Sequence, residues 1–89
     1  MVTRTQEDEF EFRFFRPQAR IVSLVGDFNG WNEAASPMDH KPNGEWVRRI
    51  RLPRGVYEFK YLADGEWYID HAAFGLALGP FGWNAVVVV

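Results

Sequence analysis

Phenylalanine stands at every second position from Phe10 to Phe14, with Glu11 and Arg13 between. A period of two marks a half-buried strand, because successive strand side chains point to opposite faces. The stretch therefore predicts Phe10, Phe12 and Phe14 against a core and Glu11 and Arg13 in water. The same period returns in residues 56–62, where Tyr57, Phe59 and Tyr61 form one face and Val56, Glu58, Lys60 and Leu62 the other. No segment repeats its apolar residues at helical spacing, so the chain is expected to be all-β.

Turn chemistry divides the rest of the chain. Residues 21–25 read as a strand apolar on both faces apart from Ser23, and are expected to lie centrally in a sheet. Residues 45–52 read as a strand whose Trp46, Ile50 and Leu52 share a face with Arg48. Asp64-Gly65 is a hairpin turn of the type I′ kind, since both positions accept positive φ. Trp67-Tyr68-Ile69 begins the return strand, and residues 84–89 end the chain as another. The valines at 86–89 imply burial on both faces, or an edge that a neighbouring domain covers. Residues 31–44, with Pro37, Pro42 and Asn43-Gly44, read as a long functional or self-packed loop. Residues 70–83 read as a Gly- and Ala-rich loop, and residues 1–8 as a polar segment that frays. Six to seven short antiparallel strands fit a β-sandwich.

Eighty-nine residues leave room for one core, so residues 1–89 are expected to be a single domain. Aromatic residues make up 17% of the chain, which helps a small core reach stability where cysteine is absent. Without cysteine, a basic-then-apolar leader or a run long enough to span a bilayer, a cytoplasmic setting with no membrane partner is expected. A formal net charge of -2 gives no general pull on phosphate backbones, so no nucleic-acid partner is expected.

The chemistry gathers around Gly26-Asp27-Phe28-Asn29-Gly30-Trp31. Glycine, Asn and Asp turn the chain sharply after the strand at 21–25, and a tryptophan closes the turn. That ring is either a core residue sealing one end of a sandwich or a flat platform for a ligand ring. Lys60 lies on the half-apolar face of strand 56–62, and Trp67 just past the hairpin that follows. Two indoles with a Lys between them suit a neutral, hydroxyl-rich ligand. Sugars stack a C–H face on an indole, and their hydroxyls bond to an ammonium or to an amide such as Asn84. The structural reading of the same residues makes Trp67 a hairpin anchor and Lys60 a surface charge. Trp46, on a strand, is expected in the core.

Asp27, Asp39, Asp64 and Asp70 could supply a carboxylate pair for glycoside hydrolysis, but Asp27 and Asp64 sit in turns, where Asp is expected for backbone reasons. His40 and His71 lack a third ligand at recognisable spacing. No catalytic residue, metal or cofactor is expected.

Taken in order, Gly26-Asp27-Phe28-Asn29-Gly30-Trp31-Asn32, Leu52-Pro53-Arg54-Gly55-Val56-Tyr57-Glu58-Phe59-Lys60-Tyr61, Asp64-Gly65-Glu66-Trp67, Asp70, and Asn84 before a valine strand resemble the glycogen- and starch-binding modules of the isoamylase N-terminal type. The glycogen-binding domain of the AMP-activated protein kinase β subunit belongs to the same group. The resemblance spans about residues 10–89 and implies an immunoglobulin-like early-set β-sandwich. It also implies that Trp31 and Trp67 stack on α-1,4-linked glucose units, while Lys60 and Asn84 bond to hydroxyls. Two departures stand out. His71 follows Asp70 where the family usually has Pro. Pro80 stands four residues before Asn84, where glucan-threading members carry Leu, which leaves Leu78 and Phe81 as the residues to fill that role. The implied partner is glycogen, starch or a maltooligosaccharide, with an adjacent catalytic domain or kinase subunits as neighbours. The alternative is a docking domain that packs its aromatic face against such a partner and binds no sugar.

Overall fold

The phenylalanine alternation forms strand β2 (Glu9–Phe15), second in a four-stranded antiparallel sheet of order β1 (Val2–Gln6), β2, β5 (Glu45–Arg51), β4 (Asp39–His40). A second antiparallel sheet has the order β3 (Val22–Gly26), β6 (Val56–Ala63), β9 (Gly82–Val88), β8 (Gly75–Gly79). A short strand, β7 (Glu66–Tyr68), pairs with the last residues of β6. This is a computed structural model, and it describes residues 1–89.

The two sheets meet along the faces that the alternation predicts. Phe10, Phe12, Phe59 and Tyr61 are fully buried, while Phe14 and Tyr57 pack against them from the rim. Phe12 meets Phe59 edge-on at 5.0 Å and Phe14 stacks on Tyr61 at 4.7 Å, so aromatic pairs join one sheet to the other. The Tyr61 hydroxyl donates to Asp70 Oδ2 at 2.6 Å, and Asp70 Oδ1 accepts the Ala72 N–H at 2.9 Å. Burial, with the Asp70 carboxylate beside it, pushes the Tyr61 phenol far above its usual range.

Several expectations are corrected. Residues 2–6 do not fray: β1 pairs with the edge of β2 that β5 leaves free, and Val2, opposite Phe12, is buried. Residues 70–83 are not all loop, because β8 lies within them and pairs with β9. With β4 these make nine strands where six to seven were expected. Residues 22–25 are buried while Ile21 before them is 61% exposed, and β3 ends its sheet instead of lying inside it. The loop after it explains the burial. Leu24 N–H donates to Ser36 at 2.9 Å, Met38 N–H donates to Val22 at 2.8 Å, and Ser23 bridges to Pro37. The free backbone groups of the edge are covered, a standard protection of edge strands. The valines alternate: Val87 is buried and Val88 half exposed, because β9 is interior to its sheet but only one face of that sheet is covered.

Glu11 is the other correction. It points away from the core as the alternation requires, yet it is buried at 7% exposure. Arg13 Nε reaches Glu11 Oε1 at 2.6 Å, and Arg49 Nε, from the opposite position on β5, reaches Oε2 at 2.9 Å. The Arg13 hydrogen bond is the main cause that holds the carboxyl below its usual range, with Arg49 adding to it and burial opposing. A depressed carboxyl stabilises the fold above its unfolded value of about 4.3, and that stabilisation is lost as pH falls through the folded value. Thermal melts from pH 7 to pH 3 are expected to show a midpoint that drops below about pH 4. Glu11→Gln lowers the midpoint at pH 7 and flattens the acid limb.

Candidate functional site

The uncovered face of the five-stranded sheet and the turns at its rim carry the residues that the sequence singles out. At the end of β3, Gly26 approaches β6 so closely that a Cβ on it would lie 2.6 Å from the Glu58 carbonyl oxygen and 2.8 Å from the Phe59 Cβ. Only glycine fits there. The chain then makes one turn of 3-10 helix, Asp27–Asn29, and reverses through Gly30 into Trp31. Asn29 ties this turn down: its Oδ1 accepts the Gly26 N–H at 3.1 Å, and its Nδ2 donates to the Leu24 carbonyl and to Ser36 Oγ.

Trp31 has φ of 58°, a left-handed conformation that costs a non-glycine residue about 1–3 kcal/mol. Two bonds hold it there. Its backbone N–H donates to the Gly26 carbonyl at 2.9 Å, and its indole N–H donates to Asp27 Oδ1 at 2.9 Å. Asp27 Oδ2 in turn accepts the Glu58 backbone N–H at 2.8 Å. One carboxylate thus fixes the indole to strand β6.

Lys60 projects from β6 on the same face as Glu58 and Leu62, and Leu62 stands opposite Trp67 on β7. The turn between these strands has Asp64 at φ 49° and Gly65 at φ 82°, as the Asp-Gly pair predicts. The Asp64 carboxylate accepts the N–H groups of Arg20 and Ile21 at 3.0 Å, which anchors the hairpin to the start of β3. Asn84 lies on β9, and its Nδ2 donates to Glu58 Oε1 at 3.0 Å. Gly79 leaves room for that amide, since a Cβ there would lie 2.9 Å from Nδ2.

All six residues named from the sequence line one open cleft of about 870 Å³: Trp31, Lys60, Trp67, Leu78, Phe81 and Asn84. Trp67 is 45% exposed and Phe81, at the tip of the β8–β9 hairpin, 95% exposed. Lys60 makes no ion pair or hydrogen bond within the chain, so its ammonium is free to donate outward. Asp27, Glu33, Glu58, Gly79 and Pro80 complete the lining. The sequence reading missed Glu58 and Glu33 as lining residues and the clamp made by Asp27. Glu58 was within reach, since it sits two positions before Lys60 and period two puts both on one face. The Asp27 clamp carried no local signal, because its partner on β6 lies 31 positions away.

Residues 9–74 match the family model described as the glycogen recognition site of AMP-activated protein kinase. The chain belongs to that glycogen-recognition family. Its domain is 38% identical over 88 residues to a 1,4-alpha-glucan branching enzyme of Lactobacillus acidophilus, covering 93% of this chain and 14% of that protein. It is 33% identical over 54 residues to an amyloplastic phosphoglucan phosphatase of Castanea sativa, covering 61% of this chain and 14% of that one. With the chloroplastic protein PTST homolog 2 of Arabidopsis thaliana it shares 30% identity over 70 residues, 79% of this chain and 13% of that one. The glycogen-recognition domain therefore spans about one seventh of the length of these relatives. Trp31, Lys60 and Trp67 lie inside the matched residues, whereas the β8–β9 hairpin and Asn84 lie beyond them. No helix of the domain is long and apolar enough to cross a membrane.

Proposed function

We propose that the domain is a non-catalytic module that binds α-1,4-linked glucan in the cleft on the outer face of the five-stranded sheet. The observation that carries this reading is the convergence of two accessible indoles, Trp31 and Trp67, with Lys60 and Asn84 on one cleft in a glycogen-recognition fold. Trp31 and Trp67 are the stacking platforms for the C–H faces of glucose rings. Lys60 donates to a hydroxyl. Asn84 already donates to Glu58, so its Oδ1 is the group left to accept one. Phe81, at the tip of the projecting hairpin, closes over the glucan from the far side, and Leu78 borders the cleft beside it. Three carboxylates (Asp27, Glu33, Glu58) against one ammonium disfavour a phosphate-bearing strand and suit a neutral ligand whose hydroxyls donate. The aspartates support a binding role over a hydrolytic one. Asp27 clamps Trp31, Asp64 caps the start of β3, Asp70 is buried on Tyr61, and Asp39 lies on β4 in the other sheet, away from the cleft, so none is held ready as an acid or nucleophile.

If each stacked ring contributes about 1–3 kcal/mol and each hydrogen bond about 0.5–1.5 kcal/mol, two of each span about 3–9 kcal/mol, and the middle of that span, roughly 4–7 kcal/mol, is expected. Calorimetric titration with maltoheptaose is expected to return a Kd between about 1 mM and 10 μM, with glycogen holding the domain more strongly through many sites on one particle. No heat at millimolar sugar and no retardation in a glycogen gel overturn the reading. In that case the domain is a docking element whose aromatic face is covered by a catalytic or kinase partner, a role that the length of the relatives accommodates.

The clamp gives a sharper test of the cleft. Asp27→Ala removes the acceptor of the Trp31 indole N–H and of the Glu58 N–H. Maltoheptaose affinity is expected to fall about two- to tenfold, through loss of a pre-set ring orientation. Indole fluorescence checks it independently, because the freed Trp31 ring emits at longer wavelength.

A further inference from the structure

Strand β8 ends its sheet, and only its β9 side is paired. Edge strands are normally guarded by charge, proline or a covering segment, as residues 36–38 guard β3. β8 has none of these within it, and no charged residue occurs anywhere from Ala72 to Val89. Its sequence is Gly75-Leu76-Ala77-Leu78-Gly79, which reads the same in both directions. Around it Phe74, Leu76, Leu78 and Trp83 are each about half exposed or more. Leu76 stands opposite the fully buried Ala85, on the core-facing side of the sheet, where the opposing sheet leaves it uncovered.

We propose that β8 pairs with β8 of a second copy of this chain, antiparallel and in register about Ala77. The palindrome favours a second copy over another partner. In that register Ala77 meets Ala77, each Leu76 meets a Leu78, and each Gly75 meets a Gly79, so every position faces its own type. Residues directly opposite in an antiparallel pair share a face, so leucines meet leucines at close range. The two-fold axis stands normal to the sheet, and such an isologous contact closes at a dimer. A five-residue pairing with these side chains buries at most about 600 Å² per copy, the small end of specific interfaces. A contact of that size is expected to be weak and concentration-dependent. Two five-stranded sheets become one continuous sheet, and the axis direction puts both clefts on the same side. The chain would then present two glucan sites to one polymer, a consequence that rests on the function proposed above, whereas the dimer does not.

Sedimentation equilibrium of the full chain is expected to show the mass rising from 10.3 kDa towards twice that value with concentration. Leu76→Lys, on a side chain already 47% exposed, holds it monomeric. Ala77→Cys, the only thiol in that variant, gives a disulfide-linked dimer at least tenfold faster than the exposed control Ala34→Cys, since opposite Cα atoms in an antiparallel pair lie within disulfide reach. A 10.3 kDa species at millimolar concentration overturns the proposal and leaves the edge to a different partner. A dimer that survives Leu76→Lys, or cross-linking no faster than the control, overturns it too. A glycogen gel separates the two claims. Leu76→Lys with parental maltoheptaose affinity but about tenfold weaker glycogen retention supports the paired clefts. A dimer that ignores glycogen removes the sugar reading alone.

Discussion

Trp31→Ala and Trp67→Ala are each expected to abolish retention on glycogen and to weaken maltoheptaose binding by up to about 150-fold, the equivalent of about 3 kcal/mol for one lost stacking ring. Folding is expected to survive both changes. Trp67 is 45% exposed on the short strand β7, and Trp31 sits in a turn outside either sheet; neither belongs to the core cluster between the sheets, so truncation leaves that core intact. The loss is larger than for Lys60→Ala or Asn84→Ala, because a hydroxyl contact contributes only about 0.5–1.5 kcal/mol net in water. Thermal midpoint and glycogen retardation, measured on the same samples, decide it. If both variants melt as early as a core variant while the parent ignores glycogen, the indoles are structural and the docking reading replaces the binding one.

Trp46→Ala supplies that core reference, with an expected loss of about 3–5 kcal/mol. Trp46 is 5% exposed on β5. Its ring stacks on His40 with centroids 4.4 Å apart and planes within 6°, and its Nε1 donates to the Arg16 carbonyl at 2.8 Å. Ala leaves a cavity beside His40 and removes the indole hydrogen bond to the Arg16 carbonyl, which then keeps only the Ala19 N–H. For a domain of this size the midpoint falls by roughly 15–30 °C. Below that midpoint maltoheptaose affinity is expected to match the parent, because Trp46 lies in the four-stranded sheet and no cleft residue does. Three tryptophans thus separate into two platforms and one core ring by two measurements.

What the sequence by itself determined was whatever depends on neighbours in the chain. The Phe10/Phe12/Phe14 and Tyr57/Phe59/Tyr61 alternations set which faces enter the core, because the strand period is a property of the backbone. Asp64-Gly65 set the β6–β7 turn, because positive φ at both positions is a local demand. Ordered motifs brought Trp31, Lys60, Trp67 and Asn84 forward as one group, and Lys60 was placed on the correct face by period alone. The tertiary structure decided the rest, and in each case the deciding partner is distant in sequence. β1 and β8 exist because β2 and β9 had an edge to fill, and a backbone ladder accepts almost any side chain. β3 is buried at a sheet edge because residues 36–38 fold back over it. Glu11 is buried because Arg49, 38 positions away, arrives opposite it. Trp31 is held at the cleft because Asp27 reaches the backbone of Glu58. Local patterning selects faces and turns, whereas hydrogen-bond partners between strands are chosen only when the sheets assemble.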